Sequence, residues 1–243
     1  MKIINAIWEK RNLGLDCNEI EIEYGDTVKT IKKRFTDFET EYTVIKVPIG
    51  MVEISNFIQS SGYTFIELMT LCHNKGILPQ LSSIHKRVIN SVKCVEMSYK
   101  DKKKLFEEIK NGMFIYDRVS LDSKFTNHQA NNRYLGWVSD ELKLGSIFFK
   151  LEYKNQAAGF FSLKEDGNNY FTSSLGGLYP SFKGVGCGFC LPYFSINEGI
   201  KKNAKKIFGA FSSNNRGSFL VHLSYGYNNI DKQYYVFTKH NQK

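Results

Sequence analysis

Residues 175–191 read LGGLYPSFKGVGCGFCL. An apolar strand runs to Tyr179, Pro180 stops it, and Lys183-Gly184-Val185-Gly186-Cys187-Gly188 leads into a helical pattern. Glycines at a strand-to-helix turn let the backbone approach a ligand closely and aim several N–H groups at one point. The helix amino terminus adds partial positive charge, so such a turn suits a pyrophosphate. It is not a Walker loop, because the spacing differs and no Gly-Lys-Ser/Thr follows. It is not a dinucleotide-binding turn either: it lies late in the chain and lacks the acidic residue expected roughly 20 positions on. Close packing of a tight turn is the other reading of these glycines.

Strands and helices alternate on both sides of this stretch. Residues 169–179 read as a strand, 146–153 and 157–164 as a hairpin around Lys154-Asn155-Gln156, 131–144 and 101–110 as helices, and 92–98 as a strand. Downstream, 186–202 reads as a helix, 206–211 as a strand, 216–224 as a helix and 233–238 as a last strand. Nearer the start, 19–24, 42–47 and 65–72 read as strands and 51–59 as a helix stopped by Ser60-Ser61-Gly62. The Gly-, Pro- and Ser-bearing segment 74–83 reads as a linker. It divides the chain into a small α/β unit over 1–85 and a larger one over 86–243. No internal repeat is evident at solenoid periods. The order is α/β (α+β), not a sandwich or a bundle.

The 243 residues are 42% hydrophobic and 23% charged, which excludes a disordered chain, and four prolines with 19 glycines exclude a collagen-like one. No apolar run reaches the roughly 18 residues of a membrane span. Met1-Lys2-Ile3-Ile4-Asn5 runs straight into a charged segment, so no signal peptide is read and a cytoplasmic location is expected. Five cysteines do not make a disulfide framework, and Cys187-x-x-Cys190 has no second pair to complete a zinc site, so no metal is expected. The net charge of +9 is concentrated at the end of the chain. Residues 201–243 carry Lys201, Lys202, Lys205, Lys206, Arg216, Lys232, Lys239 and Lys243 against Asp231 alone. A basic end points to an anionic partner or to a merely solvated surface. Nucleic acid is disfavoured because no recognition motif accompanies the charge.

Several of these features together resemble the GNAT (GCN5-related N-acetyltransferase) superfamily. Lys183-x-x-Gly186-x-Gly188 fits that family's Gln/Arg-x-x-Gly-x-Gly/Ala turn, with Lys in the first place, and Leu178 and Pro180 fit the strand end before it. Asn215, Ser218, His222, Gly226 and Tyr227 follow the spacing of its later motif, with His222 where the family commonly has Tyr. A looser resemblance, to TDP-fucosamine acetyltransferases and related nucleotide-amino-sugar N-acyltransferases, rests on residues 8–14 (WEKRNLG), on Asp117-Arg118 and on Tyr134-x-x-Trp137.

The resemblance implies a mixed, mostly antiparallel sheet flanked by helices and an acyl-CoA cosubstrate, acetyl-CoA or a longer one. It implies that Leu178, Tyr179, Lys183, Gly184, Val185, Gly186, Cys187, Gly188 and Asn215 meet CoA. The Leu178 N–H would stabilise the tetrahedral oxyanion, a contribution of about 3–4 kcal/mol where such donors have been removed. His222 would protonate the departing thiolate or only pack against the sulfur, with Tyr225 as a substitute acid. Arg118, Arg133, Tyr134 and Trp137 would hold the diphosphate and base of a dTDP-linked amino sugar made for surface polysaccharide. Lys201, Lys202, Lys205 and Lys206 would serve the 3′-phosphate of CoA or simply end a solvated helix. Gly176-Gly177 marks either a bulge or room for a bulkier acyl chain. An aminoglycoside, a polyamine or a protein amine is an alternative acceptor, and a non-catalytic CoA-binding module an alternative function. The oligomeric state stays open, a homodimer included.

Overall fold

The computed structural model describes residues 1–241. The chain opens with β1 (Lys2–Asn5), α1 (Ile7–Leu13), β2 (Cys17–Glu21), α2 (Val28–Lys33), α3 (Phe35–Phe38), β3 (Tyr42–Pro48), α4 (Val52–Ser60) and β4 (Thr64–Asn74). It continues through α5 (Ser83–Asn90), β5 (Val92–Glu96), α6 (Tyr99–Lys110), α7 (Asn127–Lys143), β6 (Ile147–Tyr153), β7 (Gln156–Gly167), β8 (Tyr170–Thr172) and β9 (Gly176–Leu178). Then come α8 (Cys190–Lys201), β10 (Lys206–Ser212), α9 (Arg216–Ser224) and β11 (Asn229–His240). Local chemistry sets several boundaries. The Thr126 side chain accepts from the Gln129 N–H while Gln129 reaches back, so α7 begins four residues earlier than the apolar period indicates. Lys154 and Asn155, both at positive φ, turn β6 into β7 as a two-residue hairpin requires.

The described strands form one mixed sheet in the order β1-β2-β3-β11-β4-β10-β8-β7-β6-β5, with β9 paired to β7 off that path. Antiparallel pairs dominate; β2/β3 and β8/β10 are parallel. Residue 85 falls inside α5, and β4, which precedes it, pairs with β10 and β11, which follow it. One face carries α2 to α5, α8 and α9, over cores built on Ile45, Ile54, Ile58 and Phe237 in one half and on Phe161, Leu163, Cys190 and Ile207 in the other. The other face carries α1, α6 and α7 over Leu105, Ile109, Val138, Phe148 and Phe160.

A two-fold repeat emerges at the sheet centre. The run β2-β3-β11-β4-β10-β8 pairs as parallel, antiparallel, antiparallel, antiparallel, parallel from either end. In both halves the helix before the closing strand ends in Ser-x-Gly-Tyr, at Ser60–Tyr63 and again at Ser224–Tyr227 (residues 60–63 and 224–227), with the glycines at φ 87° and 88°. The closing strands are exchanged: β4 of the first half pairs with β10 of the second, and β11 of the second with β3 of the first.

Candidate active site

The two halves differ where it matters for a ligand. In the first, β2 and β3 stay paired from Cys17 opposite Tyr42 to Glu21 opposite Lys46, and the Ile22 N–H still reaches the Lys46 carbonyl. In the second, the parallel pair lasts only three residues, from Lys206 opposite Tyr170 to Phe208 opposite Thr172, plus one bond from the Ser173 N–H to the Phe208 carbonyl. Beyond that point the chain from Ser173 breaks, resumes as β9 and pairs only with β7, so β9 and β10 part. The strand read from sequence as continuous over 169–179 is two strands, and the break opens a slot.

The register of β9 decides which groups face the slot. The Tyr179 N–H donates to the Ala158 carbonyl, and the Ser162 N–H donates to the Leu175 carbonyl. Alternation along an antiparallel strand therefore turns the N–H of Leu178 away from β7, toward the gap. Gly177 allows close approach on the opposite face: a Cβ there would lie 2.9 Å from Met113 Cε and 3.3 Å from Phe114 Cε1. That space is filled by Met113 and Phe114, so Gly177 is accounted for by packing of the loop after α6, whereas a Cβ on Gly176 would lie 3.2 Å from the Phe160 carbonyl oxygen and 3.3 Å from Phe161 Cβ.

Above the slot lies the glycine turn. Residues 180–182 form one 3-10 turn and α8 starts only at Cys190, four residues later than the sequence pattern indicates. Gly184 and Gly186 have φ of 87° and 80°, and no atom lies within 4 Å of a Cβ built on either. Glycine is required here by conformation, not by space. Among the described residues the N–H groups of Gly184, Gly186, Cys187, Gly188 and Phe189 have no acceptor, whereas the Val185 N–H turns back to the Phe182 carbonyl. Five unpartnered donors at the start of a twelve-residue helix can surround an anion. Lys183 does not join them, since its Nζ donates to the Met113 carbonyl at 2.9 Å. Cys187 and Cys190 are free and buried; burial pushes the Cys190 thiol up to about 12.

Leu178, Cys187, Phe189, Phe211, Val221, Tyr225 and Tyr227 pack in one cluster, so the strand end, the turn and α9 converge as the spacing implies. The His222 ring lies 4.6 Å from that of Phe211 and 5.2 Å from that of Tyr227. Burial lowers its pKa to about 4, against a raising contribution from the Ser218 carbonyl, which accepts from Nδ1 at 2.8 Å. At neutral pH the imidazole is thus uncharged, its proton is on Nδ1 and its Nε2 bears a lone pair. That is an acceptor and not a proton donor, which of the two expected roles favours packing over acid catalysis. The Tyr225 hydroxyl is engaged with His85 Nδ1 at 2.9 Å, and burial raises it to about 12. Asn215 caps α9, its side chain accepting from the Ser218 N–H. Tyr179 is buried, with Lys104 Nζ 5.4 Å from its ring.

The residues expected to hold the acceptor are engaged with other protein groups. Arg118 Nη2 donates to Glu9 Oε1 at 3.0 Å and to Glu19, while Arg133 Nε donates to both Glu9 oxygens at 2.7 and 3.0 Å, with Asp117 beyond. Glu9 is fully buried, and burial alone would raise Glu19, but Arg118 and Lys46 outweigh it and hold that carboxyl at about 2. Arg133 fastens α1 to α7, and Arg118, in the segment before α7, fastens α1 and β2 to that segment. Tyr134 is buried in a ring stack with Phe114 at 4.2 Å and Trp137 at 6.0 Å. Lys201 pairs with Glu198, Lys206 lies over the Tyr170 ring, and Lys243 lies outside the described residues.

On the face of α1, α6 and α7 lies a cavity of about 300 Å³. Its floor is Met69, Leu71, Phe208 and Tyr234, and charged side chains including Asp231 and Lys232 line it. Met69 and Leu71 lie directly opposite Ser212 and Ala210, the stretch of β10 that β9 leaves unpaired. No group of three His, Cys, Asp or Glu side chains that could hold a metal ion occurs among the described residues, and no helix among them is long and apolar enough to cross a membrane.

Solved structures share this fold. A GCN5-related N-acetyltransferase from Sphaerobacter thermophilus superposes with a TM-score of 0.61 over 98% of this chain and 75% of that one, at 11% identity. The fold is that of the GCN5-related N-acetyltransferases. A tandem GNAT protein from the clavulanic acid biosynthesis pathway gives a TM-score of 0.55 over 93% of this chain and 76% of that one, at 11% identity. A functionally unknown conserved protein from Staphylococcus epidermidis gives 0.59 over 93% and 84%, at 13% identity. No protein-family model and no curated protein matches the sequence. In this chain the strands part in the second half and stay paired in the first.

Proposed function

We propose that the chain transfers an acyl group from acyl-CoA to an amine, using its second half alone for the donor. One observation carries this reading: β9 and β10 part directly below the glycine turn, with the Leu178 N–H facing the gap. The unpartnered amides of 184–189 would receive the pyrophosphate of CoA and the slot its pantetheine arm. As the amine attacks, the thioester carbonyl gathers negative charge, and a backbone donor already in place stabilises it without reorganisation. The C–N bond forms, the C–S bond breaks, and CoA leaves as thiolate. Neither His222, neutral with its Nδ1–H donated to the Ser218 carbonyl, nor Tyr225, held by His85, is assigned the acid role; the thiolate takes its proton from solvent.

The acceptor implied by resemblance was a dTDP-linked amino sugar. Its diphosphate calls for free cationic groups, and Arg118 and Arg133 are already matched by Glu9, Glu19 and Asp117. The part-apolar cavity on the opposite face of the sheet fits a small amphipathic amine better. Calorimetry with acetyl-CoA, followed by thiol release with a panel of amino sugars, nucleotide-linked amino sugars, polyamines and arylalkylamines, tests both halves of the reading. No uptake of acetyl-CoA at millimolar concentration refutes donor binding. Uptake without turnover of any amine leaves a CoA-binding module instead.

A further inference from the structure

We propose that Glu67 is the acceptor-binding carboxylate, and that the acceptor is an amine with a second cationic group, held by Glu67 while the other nitrogen attacks; this rests on the acyl-transfer reading above. Glu67 stands on β4 and is only 6% exposed, yet among the described residues its carboxylate has no hydrogen bond and no ion pair. The fully enclosed side-chain polar atoms without a partner are Tyr42 Oη and Arg118 Nε among those residues. The Glu67 oxygens are not enclosed, so both open onto accessible space. A carboxylate taken this far from water and left unmatched costs free energy, which a bound cation would offset.

The strand pairings set Glu67 level with Leu178 to within one residue. His73 on β4 lies opposite Phe208, Phe208 opposite Thr172, and Thr172 opposite Lys164 on β7. Five residues along β7 from Lys164 is Gly159, opposite Leu178, and five along β4 from His73 is Leu68, the neighbour of Glu67. The Ser213–Asn215 turn that follows β10 lies alongside: Ser213 Oγ accepts from the Leu68 N–H, and Asn214 Nδ2 donates to the Ile66 carbonyl. Strand alternation puts Glu67 on the same face as Met69 and Leu71, the face of α1, α6 and α7. Gly177 faces Met113 and Phe114 on that side, and the Phe114 ring stacks 4.2 Å from that of Tyr134 on α7. Burial raises the Tyr134 hydroxyl, and the charges of Asp117 and Glu67 add to it.

The buried charges nearby balance without it. Glu9, Glu19 and Asp117 meet Arg118, Arg133 and Lys46, and Glu67 is the negative charge left over. Level is not contact, however. Glu67 and Leu178 stand on strands separated by β10 and by the slot, so their backbones are at least two strand spacings apart, about 10 Å. A nitrogen attacking a carbonyl held at the Leu178 N–H is beyond direct reach of the Glu67 carboxylate, and one ammonium cannot serve both. A straight-chain diamine spans the interval: its ammonium pairs with Glu67 and fixes the molecule, and its other nitrogen, neutral, meets the thioester carbon. A phosphate-bearing acceptor would bring like charge to the same carboxylate. A water joining Glu67 to the unpartnered Arg118 Nε is the competing reading.

The experiment measures CoA release from acetyl-CoA for the native protein, E67Q and E67D, with straight-chain diamines and with the monoamines of the same length. Acetyl-CoA affinity and Tm are measured in parallel. In the native protein the best diamine should exceed its monoamine in kcat/KM by about 100-fold, mostly through KM, as a charge pair formed away from bulk water would give. In E67Q that ratio should collapse to within about threefold of unity, and E67D should keep an intermediate one. Acetyl-CoA affinity should stay within about threefold. The E67Q Tm should not fall, since no protein partner is lost. The proposal is overturned if the native protein does not prefer diamines, if E67Q keeps the ratio, or if its acetyl-CoA affinity falls in step with its rate. An E67Q protein that fails to fold, or loses more than about 2 °C in Tm, also overturns it and leaves the carboxylate tied to Arg118 through water. A native protein that binds acetyl-CoA and turns over no amine overturns the transferase reading itself, a result distinct from any of these.

Discussion

Glu9 offers the sharpest test of how the first half of the chain is fastened to the second. Its carboxylate is fully buried and accepts from Arg118 at 3.0 Å and from Arg133 at 2.7 and 3.0 Å. In E9Q the shape is kept and one oxygen still accepts, but a negative charge facing two buried guanidiniums is lost. Removing one partner of a buried ion pair costs about 3–5 kcal/mol, because the other is left uncompensated. Here Glu19 and Asp117 remain, which puts the expected loss at about 3 kcal/mol. For a chain of this size each kcal/mol lowers Tm by about 2–4 °C, so the midpoint should fall by about 6–12 °C in calorimetry at neutral pH. Buried charges are poorly screened, so the fall should be the same at about 0.05 M and about 0.5 M salt. A fall of less than about 2 °C, or one that disappears in salt, would mean that Arg118 and Arg133 are not committed to Glu9. In that case their assignment to an anionic acceptor returns.

Glu19 should make the fold acid-sensitive. A carboxyl held at about 2 instead of its ordinary 4.5 contributes about 3 kcal/mol above pH 4.5, and this is lost as pH falls through 2; an E19Q protein should show a flatter stability profile over that window in denaturant titrations. G186A forces a non-glycine residue into left-handed backbone at about 1–2 kcal/mol, and acetyl-CoA affinity by calorimetry should fall about tenfold with little change in the rate at saturation. H222F should leave kcat within a few-fold at neutral pH and move no limb of its pH profile, since the imidazole is neutral down to about pH 4; a loss of 100-fold or more would restore it as a proton donor. G177A places a methyl 2.9 Å from the mobile end of Met113 and should cost about 1 kcal/mol in urea unfolding while leaving the choice between acetyl-CoA and longer acyl-CoAs unaltered.

The glycine turn was legible in the sequence because its conformation is local. Gly184 and Gly186 are needed by backbone conformation, and their spacing before a helix shows directly in the residues. The slot was not legible: Tyr170–Thr172 and Gly176–Leu178 are both apolar and read as one strand, and only the pairing partners reveal that they separate. Arg118 and Arg133 misled for a related reason, since an arginine that meets a ligand and one that meets buried carboxylates have the same signature until the carboxylates, here more than 90 residues away, are located. Thr126 and Gln129, by contrast, form a capping box visible in the residues, and α7 could have been started there.

The exchanged closing strands carry a consequence for how the protein is made. Because β4 lies between β10 and β11, the first 74 residues leave the ribosome with a hydrogen-bonding edge that nothing yet synthesised can cover. Neither half is finished until β11 has been made and enters between β3 and β4. A nascent chain stalled before that point would present an open, sticky margin to chaperones, and two such chains could each complete the other.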